Sequence, residues 1–144
     1  MAARSQIITL AAAGTVHAGA STVNGTGVVF REAFREAMIV LDVTAAATAS
    51  GDTLDVYIDT SPDGGTSWIN VGHFTQVLGN GGAKKFVMAL RADNPGASAV
   101  TDVTSNASAG VTRQYGITDR LRYRSIVASA SAPSFTFGIT AFLK

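Results

Sequence analysis

The chain has 144 residues, no cysteine, and eleven Lys and Arg against ten Asp and Glu, a formal net charge of +1. That length suits one domain with a core of its own. The lack of cysteine excludes disulfide scaffolds and thiol chemistry, and the near-neutral balance gives no global electrostatic case for nucleic acid. Ala, Thr, Gly and Ser supply 67 of the residues, a composition that disfavours helical bundles built on Glu, Lys and Leu.

In chain order, the first twenty residues imitate an export signal. Arg4 precedes an apolar run at 7–13, and Ala18-Gly19-Ala20 has the small-x-small form of a cleavage site. Thr9, Gly14 and Thr15 break the run and His17 stands just before the site, so an N-terminal strand or arm is expected instead. No stretch approaches the ~18–20 apolar residues of a spanning helix, and no membrane partner is expected.

Period-two alternation, the strand signature, then recurs. Strands are expected at 6–12, briefly at 27–31, and at 37–44, where Ile39, Leu41 and Val43 share a face. Residues 31–36 suit either a turn of helix or continued strand. Residues 52–60 alternate cleanly, with 68–77 as their hairpin partner. Residues 84–90 follow a turn at Gly79-Asn80-Gly81-Gly82, and Asp93-Asn94-Pro95-Gly96 is another turn signal. Residues 97–112 read as a long loop. Strands at 119–128 and 134–144 close the chain, the last with Phe135, Phe137, Ile139, Ala141 and Leu143 on one face. The expectation is an all-β, single-domain β-sandwich or jelly-roll-like fold of seven to eight short strands with little or no helix. Residues 1–26 would form an N-terminal arm, or a first strand with a Gly/Ser/Thr-rich linker, and residues 27–144 the sandwich.

One local motif stands out. Ser61-Pro62-Asp63-Gly64-Gly65-Thr66-Ser67-Trp68 resembles the Asp-box, a hairpin turn first associated with sialidases. The resemblance implies a structural turn: Ser61 and Asp63 accept backbone N–H groups, Gly65 supplies positive φ, and Trp68 caps the following strand. Sialidases carry several copies and this chain has one, so no glycosidase is implied. Asp59-x-Ser61-x-Asp63-Gly64 also overlaps the start of a calcium loop, but Asn70 stands where a bidentate Glu belongs.

Residues 53–74, together with the ending from Leu121 to Ala141 (Leu-Arg-Tyr-Arg-Ser-Ile-Val-Ala onward), resemble segments of small structural proteins of tailed bacteriophages. Those are compact β-sandwiches that decorate the capsid or sit in the neck and tail. The resemblance implies a virion component, with the major capsid protein as partner and a homo-oligomer, a trimer where decoration occupies threefold positions.

Catalytic constellations are missing from the sequence. His17, in a flexible-looking stretch, reads as a surface residue, and His73 as a sheet residue facing away from Trp68, Asn70, Gly72 and Phe74. No nucleophile context accompanies them, and their separation gives no local metal-ligand spacing. Asp55 and Asp59 share a strand face about 13 Å apart, too far for the ~5–9.5 Å of a glycosidase pair. No enzyme, cofactor or metal site is expected. Arg120, Arg122 and Arg124 form a ladder about 13 Å long on one strand face. It could contact an acidic neighbouring subunit, or pair internally with Asp55 and Asp59; nucleic acid is disfavoured because no aromatic residues interleave.

The function expected is therefore capsid decoration (cement) on the exterior of a tailed-phage virion. Head–tail joining is the alternative on the same fold. The alternative of another class is a carbohydrate-binding module, with Trp68, Tyr57 or Tyr115 as an aromatic platform.

Overall fold

A strand whose residues alternate has one apolar face to bury, and two antiparallel sheets laid face to face bury it for all strands at once. The structure, a computed structural model, describes residues 5–91, 103–113, 116–129 and 131–144. The expected turn at 93–96, part of the 97–112 loop, and Tyr115 lie outside the described residues.

The strands are β1 (Gln6–Ala18), β2 (Ser21–Asn24), β3 (Val28–Val29), β4 (Glu36–Ala45), β5 (Thr53–Thr60), β6 (Ile69–His73), β7 (Val77–Leu78), β8 (Lys84–Arg91), β9 (Val111–Thr112), β10 (Arg120–Ala128) and β11 (Ser134–Leu143). No described residue is helical, and residues 31–35 are irregular chain leading into β4. One sheet, A, runs β1-β11-β4-β8. The other, B, runs β2-β10-β5-β6-β9, with β3 also on β10 and β7 also on β5. Leave aside the two-residue strands β3, β7 and β9, too short to show as alternation. Among the eight that remain, first pairs with last, second with seventh, third with sixth and fourth with fifth. That is the winding of a ribbon rolled up from both ends, the jelly roll.

The core lies between the sheets. Phe135, Phe137, Ile139 and Leu143 of β11 and Ile39, Leu41 and Val43 of β4 face Leu54, Val56 and Ile58 of β5 and Leu121 of β10, all of them buried. Tyr123 crosses between the layers and meets Phe137 edge-on, ring centroids 6.0 Å apart.

β2 lies where a Gly/Ser/Thr-rich linker was expected, and two further strands depart from the sequence reading at bulges. β1 continues to Ala18 rather than stopping at Ala12. Its pairing with β11 shifts register between Thr9 and Ala11 and again between Ala11 and Thr15, and Gly14 takes φ +84°. A bulge inserts unpaired residues and breaks the alternation, so the second half of the strand has no period-two signal. The shift carries His17 into the interior, only 3% exposed, where a surface residue was expected. Its Nδ1 meets Ser125 Oγ at 2.9 Å and its Nε2 meets Ser21 Oγ at 2.8 Å, which ties β1 of one sheet to β10 and β2 of the other.

Burial lowers the His17 pKa from its ordinary 6.5, because desolvation penalises the charged ring. The unfolded chain then binds the proton more readily than the folded one. This contribution to stability is complete above pH 6.5 and is lost as pH falls toward the depressed folded value. Urea midpoints should drop from pH 7.5 to pH 5, and the His17→Gln variant should show a smaller drop.

In β6 the register against β5 slips between Ile58 and Asp59, so that Ile58 faces Gly72 and Asp59 faces Asn70. Val71 stays in the core at the slip. Asn70 and His73 consequently share the outer face of sheet B, where strict alternation had set them on opposite faces.

Candidate functional site

The 61–68 turn joins β5 to β6 and is held by its own side chains. Ser61 Oγ accepts the Gly65 N–H at 2.7 Å and donates to Asp63 Oδ1 at 2.9 Å. Asp63 accepts the Ser67 N–H at 2.8 Å and the Ser67 hydroxyl at 2.6 Å. Gly64 and Gly65 take φ +75° and +98°, a region that costs glycine little. Trp68 lies half-buried over Gly27, where a Cβ would sit 2.5 Å from the indole ring. The Arg122 guanidinium covers the ring at 4.4 Å.

Hydrogen bonds from Ser67, first its hydroxyl and then its amide, hold the Asp63 carboxyl below its ordinary 3.8. The carboxylate's contribution to the turn is therefore complete above pH 3.8 and is lost as pH falls through the depressed value. The Ser67 amide resonance should follow a transition below pH 3.8 that Asp63→Asn abolishes.

The arginine ladder divides. Register sets Arg122 opposite Asp59, Arg124 opposite Tyr57 and Ile126 opposite Asp55. Asp59 is 2% exposed and receives Nε of both Arg122 and Arg124 at 3.2 Å. Arg124 also stacks over Tyr57 at 4.4 Å. Arg120 points along the strand end, pairing with Asp119 at 2.9 Å and donating to Gly64 O at 2.7 Å. Asp55 takes other partners: His73 Nε2 at 2.8 Å and Gln76 Nε2 at 2.9 Å.

This polar cluster anchors a strap, residues 103–110, that leads into β9 and lies over the outer face of sheet B. Ala107 N donates to Asn70 Oδ1 at 2.8 Å, Ala107 O faces His73 Nδ1 at 3.0 Å, and Arg124 Nη2 donates to Asn106 Oδ1 at 2.6 Å. Arg113 reaches back to the Asn70 and Ser105 carbonyls. Tyr57 is stacked on His73 at 4.0 Å. Tyr57 and Trp68 are therefore both covered, and neither forms an open aromatic platform. Among the described residues every buried side-chain nitrogen and oxygen has a hydrogen-bond partner, and no group of three His, Cys, Asp or Glu is placed to hold a metal.

The outer face of sheet A is different in kind. Register lines Ile7, Phe142, Met38 and Ala89 across all four strands, with Thr9, Thr140, Val40 and Val87 as the adjacent row. Ile7 is 70% exposed, Val87 62% and Met38 43%. Beside these rows the β1 bulge and Gly138 leave a recess of about 220 Å³, edged by Thr44 and Asp42. Sequence reading missed this surface, because a single strand such as β4 contributes only Met38 and Val40 to it. The rows exist only once the pairing order is known.

No known protein family matches the sequence, and no curated protein does. Two solved structures are similar in fold, those of the infectious bursal disease virus Gx and Gt strains. Their chains are 13% and 12% identical to this one, with TM-scores of 0.54 and 0.52. Each comparison covers 97% of this chain and 32% of the viral chain. The present chain thus spans about a third of the length of those viral chains, and what it shares with them is the β-sandwich fold.

Proposed function

We propose that the protein is a structural component of a virus particle, a decoration (cement) protein that binds the major capsid protein on the exterior of a tailed-phage shell. The observation that carries this reading is the outer face of sheet A. The cluster on the other sheet is tied up within the chain and roofed by its own strap, whereas on sheet A the apolar row Ile7, Phe142, Met38 and Ala89, with Val40 and Val87 beside it, faces outward with no described residue over it. Isolated exposed apolar residues are ordinary, but a contiguous patch marks an interaction surface. The likeness in fold to chains of a virus structure supports the same reading, as does a jelly-roll winding that recurs in capsid proteins.

Its mechanism is multivalent binding without turnover. Many copies, each with a modest interface, reinforce one another around a shell. A surface rich in Ala, Thr and Gly loses little desolvation energy on contact. Arg120 to Arg124 serve this design by fixing the strap and the turn. Decoration at threefold positions requires a trimer, which sedimentation of the purified protein measures. Purified protein mixed with undecorated phage shells should co-sediment at saturable stoichiometry; failure to do so removes the decoration role.

A further inference from the structure

A second boundary of sheet A that no described residue covers is its β8 edge. β8 pairs with β4 through eight consecutive residues, from Val43 opposite Lys84 to Glu36 opposite Arg91, without a bulge. No described residue pairs with its other side. A straight run of unpaired N–H and C=O groups is a template for another strand. The opposite edge of the sheet, β1, is interrupted by its two register shifts.

Alongside β8 the two sheets part and leave a cleft of about 330 Å³, lined by Phe74, Thr75, Phe86, Met88, Gly110 and Thr112. An added strand would drop its inward side chains there. Outward, β8 presents Lys85, Val87, Ala89 and Arg91, all exposed: two cations six residues apart with small apolar residues between. Lys85 Nζ lies 3.6 Å from Asp42 Oδ2 on β4 and Arg91 stands opposite Glu36, but the Lys85–Asp42 pair is open to water, and such surface pairs hold a cation only weakly. The strand carries no carboxylate of its own.

We propose that the β8 edge accepts an extended segment of another protein, one that carries carboxylates six residues apart opposite Lys85 and Arg91 and has apolar residues facing the cleft. A second copy of β8 fits less well. The antiparallel register that seats Val87 against Ala89 also sets Lys85 of each copy against Arg91 of the other, and like charges directly opposed are destabilising. The inference rests on the edge itself and holds whether or not the chain works on a virus shell.

The probe is a capped peptide, Glu-Val-Thr-Val-Thr-Val-Glu, titrated into isotope-labelled protein with amide hydrogen exchange read along β8. Alternate amides of β8 should gain protection. The same peptide with Lys at both ends should bind about tenfold more weakly, and a Lys85→Glu/Arg91→Glu protein should reverse that preference. N-methylation of the peptide amides that face β8 should abolish binding, since backbone pairing supplies the affinity. Three results would overturn the proposal: no protection of β8 at millimolar peptide, equal binding of the acidic and basic peptides, or a dimer of the free protein with β8 already protected.

Discussion

Replacing Asp59 with Ala should lower the stability of the fold by about 3 kcal/mol, the lower part of the range for removing one partner of a buried ion pair. The carboxylate is 2% exposed, and the Arg122 and Arg124 side chains that converge on it are 18% and 17% exposed. Removing it leaves two guanidinium groups close together and largely out of water, repelling each other where they were bridged. Asn70 loses an acceptor at 3.2 Å as well, and Asn70 holds Ala107 of the strap. Most of the loss should come from the orphaned charges rather than from the missing contact. An Asp59→Leu/Arg122→Met/Arg124→Met triple variant should therefore recover at least half of it, because replacing a whole buried ion pair with apolar residues is often close to neutral. Urea denaturation of the two variants measures both numbers. Hydrogen exchange at Ala107 should quicken in the single variant before global unfolding does.

A Met38→Glu/Val87→Glu variant should keep its stability within about 0.5 kcal/mol, as surface substitutions commonly do, and should bind shells at least about a hundredfold more weakly. Both side chains point away from the core, between neighbours that point into it: buried Ala37 and Ile39 on β4, half-buried Phe86 and buried Met88 on β8. Their loss empties no cavity. On a shell, however, two carboxylates would be pressed against apolar surface without partners, and burying an unpaired charge is costly. Co-sedimentation with shells, read beside a denaturation curve of the same protein, separates the two effects. An Arg120→Glu variant is the matched control. Its site lies at the turn, away from the outer face of sheet A, so its shell binding should stay near that of the unaltered chain.

What the sequence shows of this fold follows from where alternation is unbroken. β11 and β5 read directly from their residues, because every second side chain enters the same core. The hairpin between β5 and β6 was legible too, since Ser61, Asp63 and Gly65 act within a few residues of one another. The second half of β1 and the outward turn of Asn70 were not, because a bulge erases the period on which such a reading depends. The arginine ladder was visible as a row, but its partner was set by register, which places Asp59 opposite Arg122 and leaves Asp55, four residues away on the same strand, opposite Ile126. The strap over sheet B depends on contacts between residues 37 and 34 positions apart, Ala107 with Asn70 and with His73, which no local pattern announces. The outer face of sheet A gathers one or two residues from each of four strands, so it becomes a surface only after the chain has rolled up.

The claim that this chain belongs to a virus particle is tested most directly by electron cryo-microscopy, with a protein inventory, of particles purified from the organism that encodes it. The expected result is a jelly roll repeated on the outside of the shell, with Ile7, Met38 and Val87 turned toward the capsid subunits. Density confined to the neck or tail would replace decoration with a joining role. Particles that lack the chain altogether would contradict the claim.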